Sequence, residues 1–226
     1  MSEDAGAVRA AQPDLLFGRF NSPSDRTLEV LAAVLLSLTT IAATWCAYQA
    51  TRWSGVQASS FAEASSVRLE STRRFDHGLQ LESLDVSVFA DYAVALAHGD
   101  EELTGFYEAR VFRQGFLPVL ADWRASDPLT NPDAPRNPFE DEAYLESLFG
   151  ESALLEQEAE RLFQKASDAN QVGDDYILST VFLASVLFFA GVATKFPSKE
   201  VQVGLFAFGL VVFVVVTVQM IGMPIQ

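Results

Sequence analysis

The sequence predicts an all-α integral membrane protein with three transmembrane helices and an extracytoplasmic up-down helical bundle continuous with spans one and two. Three observations predict this class: long apolar runs, a stretch from Asp25 to Leu117 without proline, and small or apolar residues that recur every three to four positions. Because proline kinks or ends helices, its absence lets the first span continue into the outer segment. Half of the 226 residues are apolar, yet the formal charge is −15, so the two properties must lie in different segments.

Three apolar runs are long enough to cross a bilayer, which takes about 20 mostly apolar residues. Glu29, near the start of the first run, is the one charged residue within them. The predicted spans are residues 27–50, 176–194 and 201–222. They leave a tail of residues 1–26, an outer segment of residues 51–175, a loop of residues 195–200 and a C-terminal segment of residues 223–226.

The orientation follows from basic residues near the ends of the spans, because short segments rich in Lys and Arg stay in the cytoplasm. The tail carries Arg9, Arg19 and Arg26, and the loop between spans two and three carries Lys195 and Lys199. We therefore expect a cytoplasmic N-terminus, with the outer segment and the C-terminal segment outside. The outer segment has 24 acids and 10 bases, a formal −14, so it holds nearly all of the net charge.

Aromatic residues gather where the first span is predicted to leave the membrane. Trp45, Tyr48 and Trp53 are expected at the headgroup level, where amphipathic rings are favoured, and Arg52 can extend its charge into the same layer. A cation-binding aromatic cage is the alternative interpretation of these residues.

Two stripes of small residues predict close packing between the helices that leave span one and enter span two. Small residues spaced three to four apart allow helix backbones to approach closely. The first stripe is Ala47, Thr51, Ser54, Ala58, Ala62 and Ser65. The second is a heptad seam of Leu155, Ala159, Leu162, Ala166, Ala169, Gly173 and Tyr176. We expect these helices to pair antiparallel; an amphipathic helix packed on something else is the alternative.

The remaining outer segment is predicted to form two further helices and a loop. Residues 79–97 read as a helix after a turn at Gly78, and residues 101–125 as another that Pro118 kinks or splits. Four prolines make residues 126–139 a loop. Asn137, followed by Pro138, is expected to cap the last helix, and Ser22 to cap the first span in the same way.

The stretches AYQATRWSGVQ and ASSFAEASSVRLEST, the loop NPDAPRNPF and the run DDYILSTVFLASVLFFAG resemble a family of prokaryotic three-span membrane proteins of uncharacterised function. The likeness covers about residues 28–195. It implies the same three-span layout, in a prokaryotic cytoplasmic membrane, and supplies no activity, cofactor or site residue.

No motif for catalysis or cofactor binding stands out in the sequence. The two histidines, His77 and His98, lie near predicted turns, the single Cys46 lies in an apolar run, and no G-x-S-x-G, H-E-x-x-H or phosphate-binding glycine loop occurs. The cluster HGDEE at residues 98–102 is expected to be a solvated turn, with weak cation binding as the alternative. We expect no catalysis, cofactor or metal, and an acidic chain is a poor candidate for nucleic acid.

Two functional hypotheses remain. The first is a membrane-anchored helical interaction module that works with copies of itself or another membrane protein. It would be an accessory subunit or scaffold, or a sensor that acts through a partner. The alternative is a homo-oligomeric channel lined by span one, where Ser37, Thr39, Thr40 and Thr44 supply hydroxyls. The acidic stretch at residues 139–163 is expected to be a solvated face, and a docking surface for a cationic partner or Ca²⁺ is its alternative.

Overall fold

A computed structural model describes residues 23–226, and these residues form helices and turns without a strand. The tail before them, with Arg9, Arg19 and the expected cap Ser22, lies outside the described residues. The α-helices are α1 (Pro23–Ala97), α2 (Glu101–Phe106), α3 (Leu117–Ala125), α4 (Glu142–Ala193) and α5 (Lys199–Ile221). A π-helical turn (Tyr107–Val111) follows α2, and a 3-10 turn (Pro138–Glu140) precedes α4. The predicted all-α class is confirmed.

Three of the helices are long and apolar enough to cross a membrane, as expected of a multi-pass membrane protein. They are α1 from Arg26 onward, α4 and α5. Mean hydropathy in their most apolar windows is 2.0, 2.1 and 2.6 respectively. The three predicted apolar runs fall one to each of these helices.

The predicted turn at Gly78 is wrong, because α1 runs through it as a single helix of 75 residues. At about 1.5 Å per residue, α1 is about 110 Å long. Gly78 is buried, and a Cβ atom there would lie 2.7 Å from Phe149 Cε1 and 2.8 Å from the carbonyl oxygen of Leu148. The glycine thus serves a close approach between α1 and α4, not a turn.

The predicted helix over residues 101–125 is split into two short helices. The break lies at residues 112–116, and Pro118 stands in the first turn of α3, where its missing N–H costs nothing. The loop predicted for residues 126–139 is observed up to the 3-10 turn. Asn137 caps that turn by accepting a hydrogen bond from the Phe139 N–H at 3.0 Å. The last helix begins later than predicted, with the Asp141 carboxylate accepting from the Tyr144 N–H at 2.9 Å.

The chain divides into two compact units, which we call the span unit and the hairpin unit. Among the described residues, the span unit contains residues 23–51 together with Val172–Gln226, and the hairpin unit is Arg52–Gln171. In the span unit, Leu35 on α1 packs with Val186 and Ala190 on α4, and partly buried side chains of α5 such as Phe206 close the cluster.

In the hairpin unit, α1 and α4 pair antiparallel. The Phe61 and Phe163 rings lie 5.4 Å apart, and further along the pair the Ser71 hydroxyl donates to the carbonyl oxygen of Ser152 at 2.8 Å. Residue numbers rise along α1 as they fall along α4, which is the mark of antiparallel packing. The far end of the pair is covered by α2, the π-helical turn and α3, around the buried side chains Tyr92, Phe112, Phe116, Leu120, Trp123, Tyr144 and Leu148.

Candidate functional site

The residues predicted for the membrane interface are largely exposed in the span unit and at the start of the hairpin unit. Trp45 and Tyr48 are 40% and 52% exposed, and their ring centroids lie 6.0 Å apart. Arg52 is exposed and Trp53 is half-buried. Their place in a headgroup layer stays a prediction.

The predicted small-residue stripe on α1 does not face α4. Ala47, Thr51, Ser54 and Ala58 are exposed, as are Ala62 and Ser65 further along. The buried face is displaced by about one to two residues along the helix from the predicted one. Both faces of this helix are rich in Ala and Ser, so residue size alone does not show which face is buried. In the hairpin unit the buried face consists of small and apolar residues and one acid: Ser60, Ala64, Ser71, Gly78, Asp85, Tyr92 and Ala95.

The seam residues on α4 point inward. Leu155 is half-buried, and the other positions of the seam are buried: Ala159, Leu162, Ala166, Ala169, Gly173 and Tyr176. Ala159 and Ala166 are fully buried in the hairpin unit. Alanine at such positions keeps two helix backbones close, which suits the buried serines and alanines on the opposing face of α1.

The exposed face of α1 in the hairpin unit has its own heptad pattern. Its positions alternate in steps of four and three, the repeat by which helices pack in coiled coils. Leu69, Leu79 and Val86 are 53%, 44% and 43% exposed on this face. We call it the outward face, and its residues are Ala58, Ala62, Ser65, Leu69, Thr72, Asp76, Leu79, Ser83, Val86 and Ala90.

Polar contacts hold the C-terminal residues within the span unit. The Gln49 side chain is fully buried, donates to the Gln226 carbonyl at 3.2 Å and accepts from the Gln226 N–H at 3.0 Å. Tyr176 donates its hydroxyl to the Pro224 carbonyl at 3.2 Å. The buried Gln49 amide has a hydrogen-bond partner for both its N–H and its carbonyl oxygen. It therefore acts as a fixed anchor for the C-terminal residues.

The hydroxyls considered for a channel divide between two environments. Thr39 is buried in the span unit, whereas Ser37, Thr40 and Thr44 are exposed. Each of the four bonds back to the carbonyl four residues earlier on α1, at 2.7 to 2.8 Å. Since Thr39 faces its own chain, it cannot line a pore between copies.

A buried charge network ties the far end of the hairpin unit together. Asp85 on α1 is 3% exposed, and both of its carboxylate oxygens accept from Arg113 Nε, at 3.0 and 2.8 Å. Arg113 Nη2 lies 2.6 Å from Oδ2 in the same ion pair but makes no hydrogen bond within the described residues. The Tyr144 hydroxyl on α4 donates to the same oxygen at 3.0 Å. Burial, followed by this hydrogen bond, raises the pKa of Tyr144.

A second polar network borders a groove on the surface of the hairpin unit. Tyr92 is fully buried, and its hydroxyl donates to Glu108 Oε1 at 2.7 Å and accepts from Arg124 Nη1 at 3.0 Å. The same Arg124 nitrogen donates to Glu108 Oε1. Burial, then the bond to Glu108, raises the pKa of Tyr92 from 10 to about 12, so this tyrosine stays a donor well into the alkaline range.

Many acids of the stretch at residues 139–163 are paired. Arg68 on α1 contacts Glu156 and Glu160 on α4 at 3.1 and 3.4 Å, and Arg74 contacts Glu151 at 3.2 Å. These side chains are 44–63% exposed, so each pair contributes little stability but favours this register of α1 against α4.

In the cluster HGDEE, the carboxylate of Asp100 caps α2. It accepts from the Leu103 N–H at 2.9 Å. Gly99 before it has a φ of +72°, which glycine adopts without strain.

Sequence reasoning missed both polar networks of the hairpin unit. One signal was present: Asp85 follows Gly78 and precedes Tyr92 at steps of seven, which places a charge on an otherwise small and apolar helix face. No comparable pattern points to Arg113, Glu108 or Arg124, because their segments reach the site through short helices and loops.

Comparisons of the chain with protein-family models, with curated proteins and with solved structures found no match.

Proposed function

We propose that this chain is a membrane-anchored helical interaction module, an accessory subunit or scaffold without catalysis of its own, and that its outward face on α1 binds a second copy of the chain. The observation that carries the proposal is the second heptad face of α1. A helix that packs on only one neighbour needs one such face, yet α1 in the hairpin unit has two.

The composition of the outward face supports a protein occupant. Of its ten positions Asp76 alone is charged, although the outer segment around it is strongly acidic. Its three large members are each more than two-fifths exposed. An apolar patch rimmed by polar residues on a water-facing surface marks a site of protein–protein interaction.

Membrane anchoring favours a second copy as that occupant. Copies inserted with the same orientation bring their α1 helices together in parallel, so each outward face meets its equivalent residue by residue. A heptad face suits this geometry, because parallel helices pack through equivalent heptad positions. On this proposal the N-terminus lies in the cytoplasm of a prokaryotic cell and the hairpin unit lies outside.

Disulfide cross-linking in native membranes tests this proposal. Cys46 is replaced by alanine, and single cysteines are introduced as Leu79→Cys on the outward face and Leu154→Cys on α4. The two leucines are 44% and 65% exposed, so simple accessibility favours the control position. The proposal predicts a covalent dimer of this chain from Leu79→Cys under mild oxidation and little from Leu154→Cys.

Asp76 gives an independent test of the parallel arrangement. Two Asp76 carboxylates would meet in a parallel pair, and like charges at equivalent positions weaken association. Asp76→Leu should therefore increase the dimer fraction. Equal cross-linking at residues 79 and 154, or none at either, contradicts the proposed dimer. A cross-link from residue 79 to a different protein would keep the interaction module and refute the second copy.

A further inference from the structure

The groove beside Tyr92 has the dimensions and chemistry of a small-ligand site. Its volume is about 470 Å³, within the range of roughly 300–1,000 Å³ typical of ligand pockets, and it is open to solvent on one side. Its lining combines one acid, one base and apolar side chains: Glu108, Leu117, Leu120, Ala121, Arg124 and Ala125. The Glu108 and Arg124 side chains are 37% and 43% exposed, so both can meet a ligand from solvent.

The ion pair in the groove uses only one side-chain nitrogen of Arg124 and one carboxylate oxygen of Glu108. Among the described residues, Arg124 makes both of its bonds through Nη1, and Glu108 accepts both of its bonds on Oε1. Arg124 therefore keeps Nε and Nη2, and Glu108 keeps Oε2, for a ligand. The buried Tyr92 hydroxyl bonds to both partners and fixes their positions before any ligand arrives.

The backbone at Glu108 forms an unusual turn that supports its contact with Tyr92 and Arg124. Glu108 lies in the π-helical turn Tyr107–Val111, which is closed by a bond from the Phe112 N–H to the Tyr107 carbonyl at 2.9 Å. The wider turn places Glu108 beside Tyr92 while Tyr107 and Phe112 keep their ring contacts with Tyr92 at 6.4 and 5.4 Å. Such turns are rare in helices and are frequent at functional sites.

We propose that this groove binds a small zwitterion of the amino-acid type with an apolar side chain. The ligand carboxylate bonds to Arg124 and the ligand ammonium to Glu108, while the side chain lies on Leu117 and Ala121. A zwitterion matches a pair of opposite charges, whereas a ligand with one charge satisfies only one partner. The acidic surroundings also disfavour a simple anion.

Equilibrium dialysis of the full-length chain in detergent tests the proposal with three probes of one shape. The probes are L-leucine, 4-methylpentanoate, which lacks the ammonium, and 3-methylbutylamine, which lacks the carboxylate. The proposal predicts that leucine binds at least about tenfold more tightly than either analogue. Arg124→Gln and Glu108→Gln should each remove that preference.

Two further variants separate binding from folding. Ala121→Trp fills the groove from an exposed position outside the polar network, so it should abolish leucine binding without lowering the unfolding temperature. Arg161→Gln removes an exposed arginine that pairs with Glu158 on α4 and should leave binding unchanged. Equal affinity for the three probes, no binding of leucine, or leucine binding that survives Ala121→Trp overturns the proposal. None of these results depends on the proposed dimer of this chain.

Discussion

Adding one methyl group at two glycines of α1 should change stability in opposite directions. Gly55 and Gly78 both lie within α1 and within the hairpin unit. Replacing a glycine in a helix by alanine is intrinsically favourable by about 0.8–1 kcal/mol. At Gly55 a new Cβ meets no atom within 4 Å, so Gly55→Ala should raise the free energy of unfolding by up to about that amount.

At Gly78 the same change meets a packed neighbour. The new Cβ would lie 2.7 Å from the Phe149 ring and 2.8 Å from the Leu148 carbonyl oxygen. The ring can turn aside, but the carbonyl belongs to the α4 backbone, so relief requires the two helices to separate. Overpacking costs about 1–3 kcal/mol, and backbone contact places this case in the upper half of that range. After the gain in helix propensity, we expect Gly78→Ala to lose about 1–2 kcal/mol.

Thermal unfolding of the detergent-solubilised full chain, followed by near-ultraviolet circular dichroism, measures both effects. At about 2–4 °C per kcal/mol for a chain of this size, Gly78→Ala should unfold several degrees below the natural protein and Gly55→Ala slightly above it. If Gly78→Ala were stabilised as much as Gly55→Ala, the close contact of α1 with α4 at this point would be refuted.

Three further predictions concern the polar contacts of the hairpin unit. Arg113→Met leaves the buried Asp85 carboxylate without its cation and should cost about 3–5 kcal/mol in urea or thermal unfolding, and adding Asp85→Leu should recover most of that loss. Arg74→Gln breaks only exposed ion pairs and should cost less than about 1 kcal/mol in the same assay; a larger cost would show that surface charge holds the hairpin. Tyr92 keeps its proton to about pH 12 when folded but loses it near 10 when unfolded, so its contribution to stability is constant below pH 10 and falls as the pH rises toward 12. The stability difference between the natural protein and Tyr92→Phe, measured from neutral pH upward, should shrink over that window, and a difference independent of pH would contradict the raised pKa.

The sequence was sufficient for the helical class and for the three apolar helices. Span length and hydropathy are local properties, so they can be read without knowing what packs against what. The buried face of α4 could also be predicted from the sequence, because from Leu155 to Tyr176 only one face of α4 carries small and apolar residues at heptad spacing.

The sequence could not show which face of α1 is buried, and the reason is physical. Two heptad faces share this helix, one against α4 and one outward, and both contain Ala and Ser. Only the partner helix decides which is buried. Gly78 shows the same limit: a glycine that permits a turn and a glycine that permits close packing look alike until the neighbouring Phe149 is placed.

The polar networks depend on tertiary structure still more strongly. Asp85 meets Arg113 and Tyr144 across 28 and 59 residues of sequence. Such partners come together only through the short helices that fold over the end of the hairpin, and no local pattern encodes that path. Asp85, a charged residue on the buried face of α1, was the one sign of these networks in the sequence.

The most direct test of the central claim is the mass and composition of the complex extracted gently from native membranes, determined by light scattering and mass spectrometry. The proposed module predicts particles that contain at least two copies of this chain, and Leu79→Glu on the outward face should shift them to a smaller mass. Particles of a single copy with no other protein, unchanged by Leu79→Glu, would contradict it.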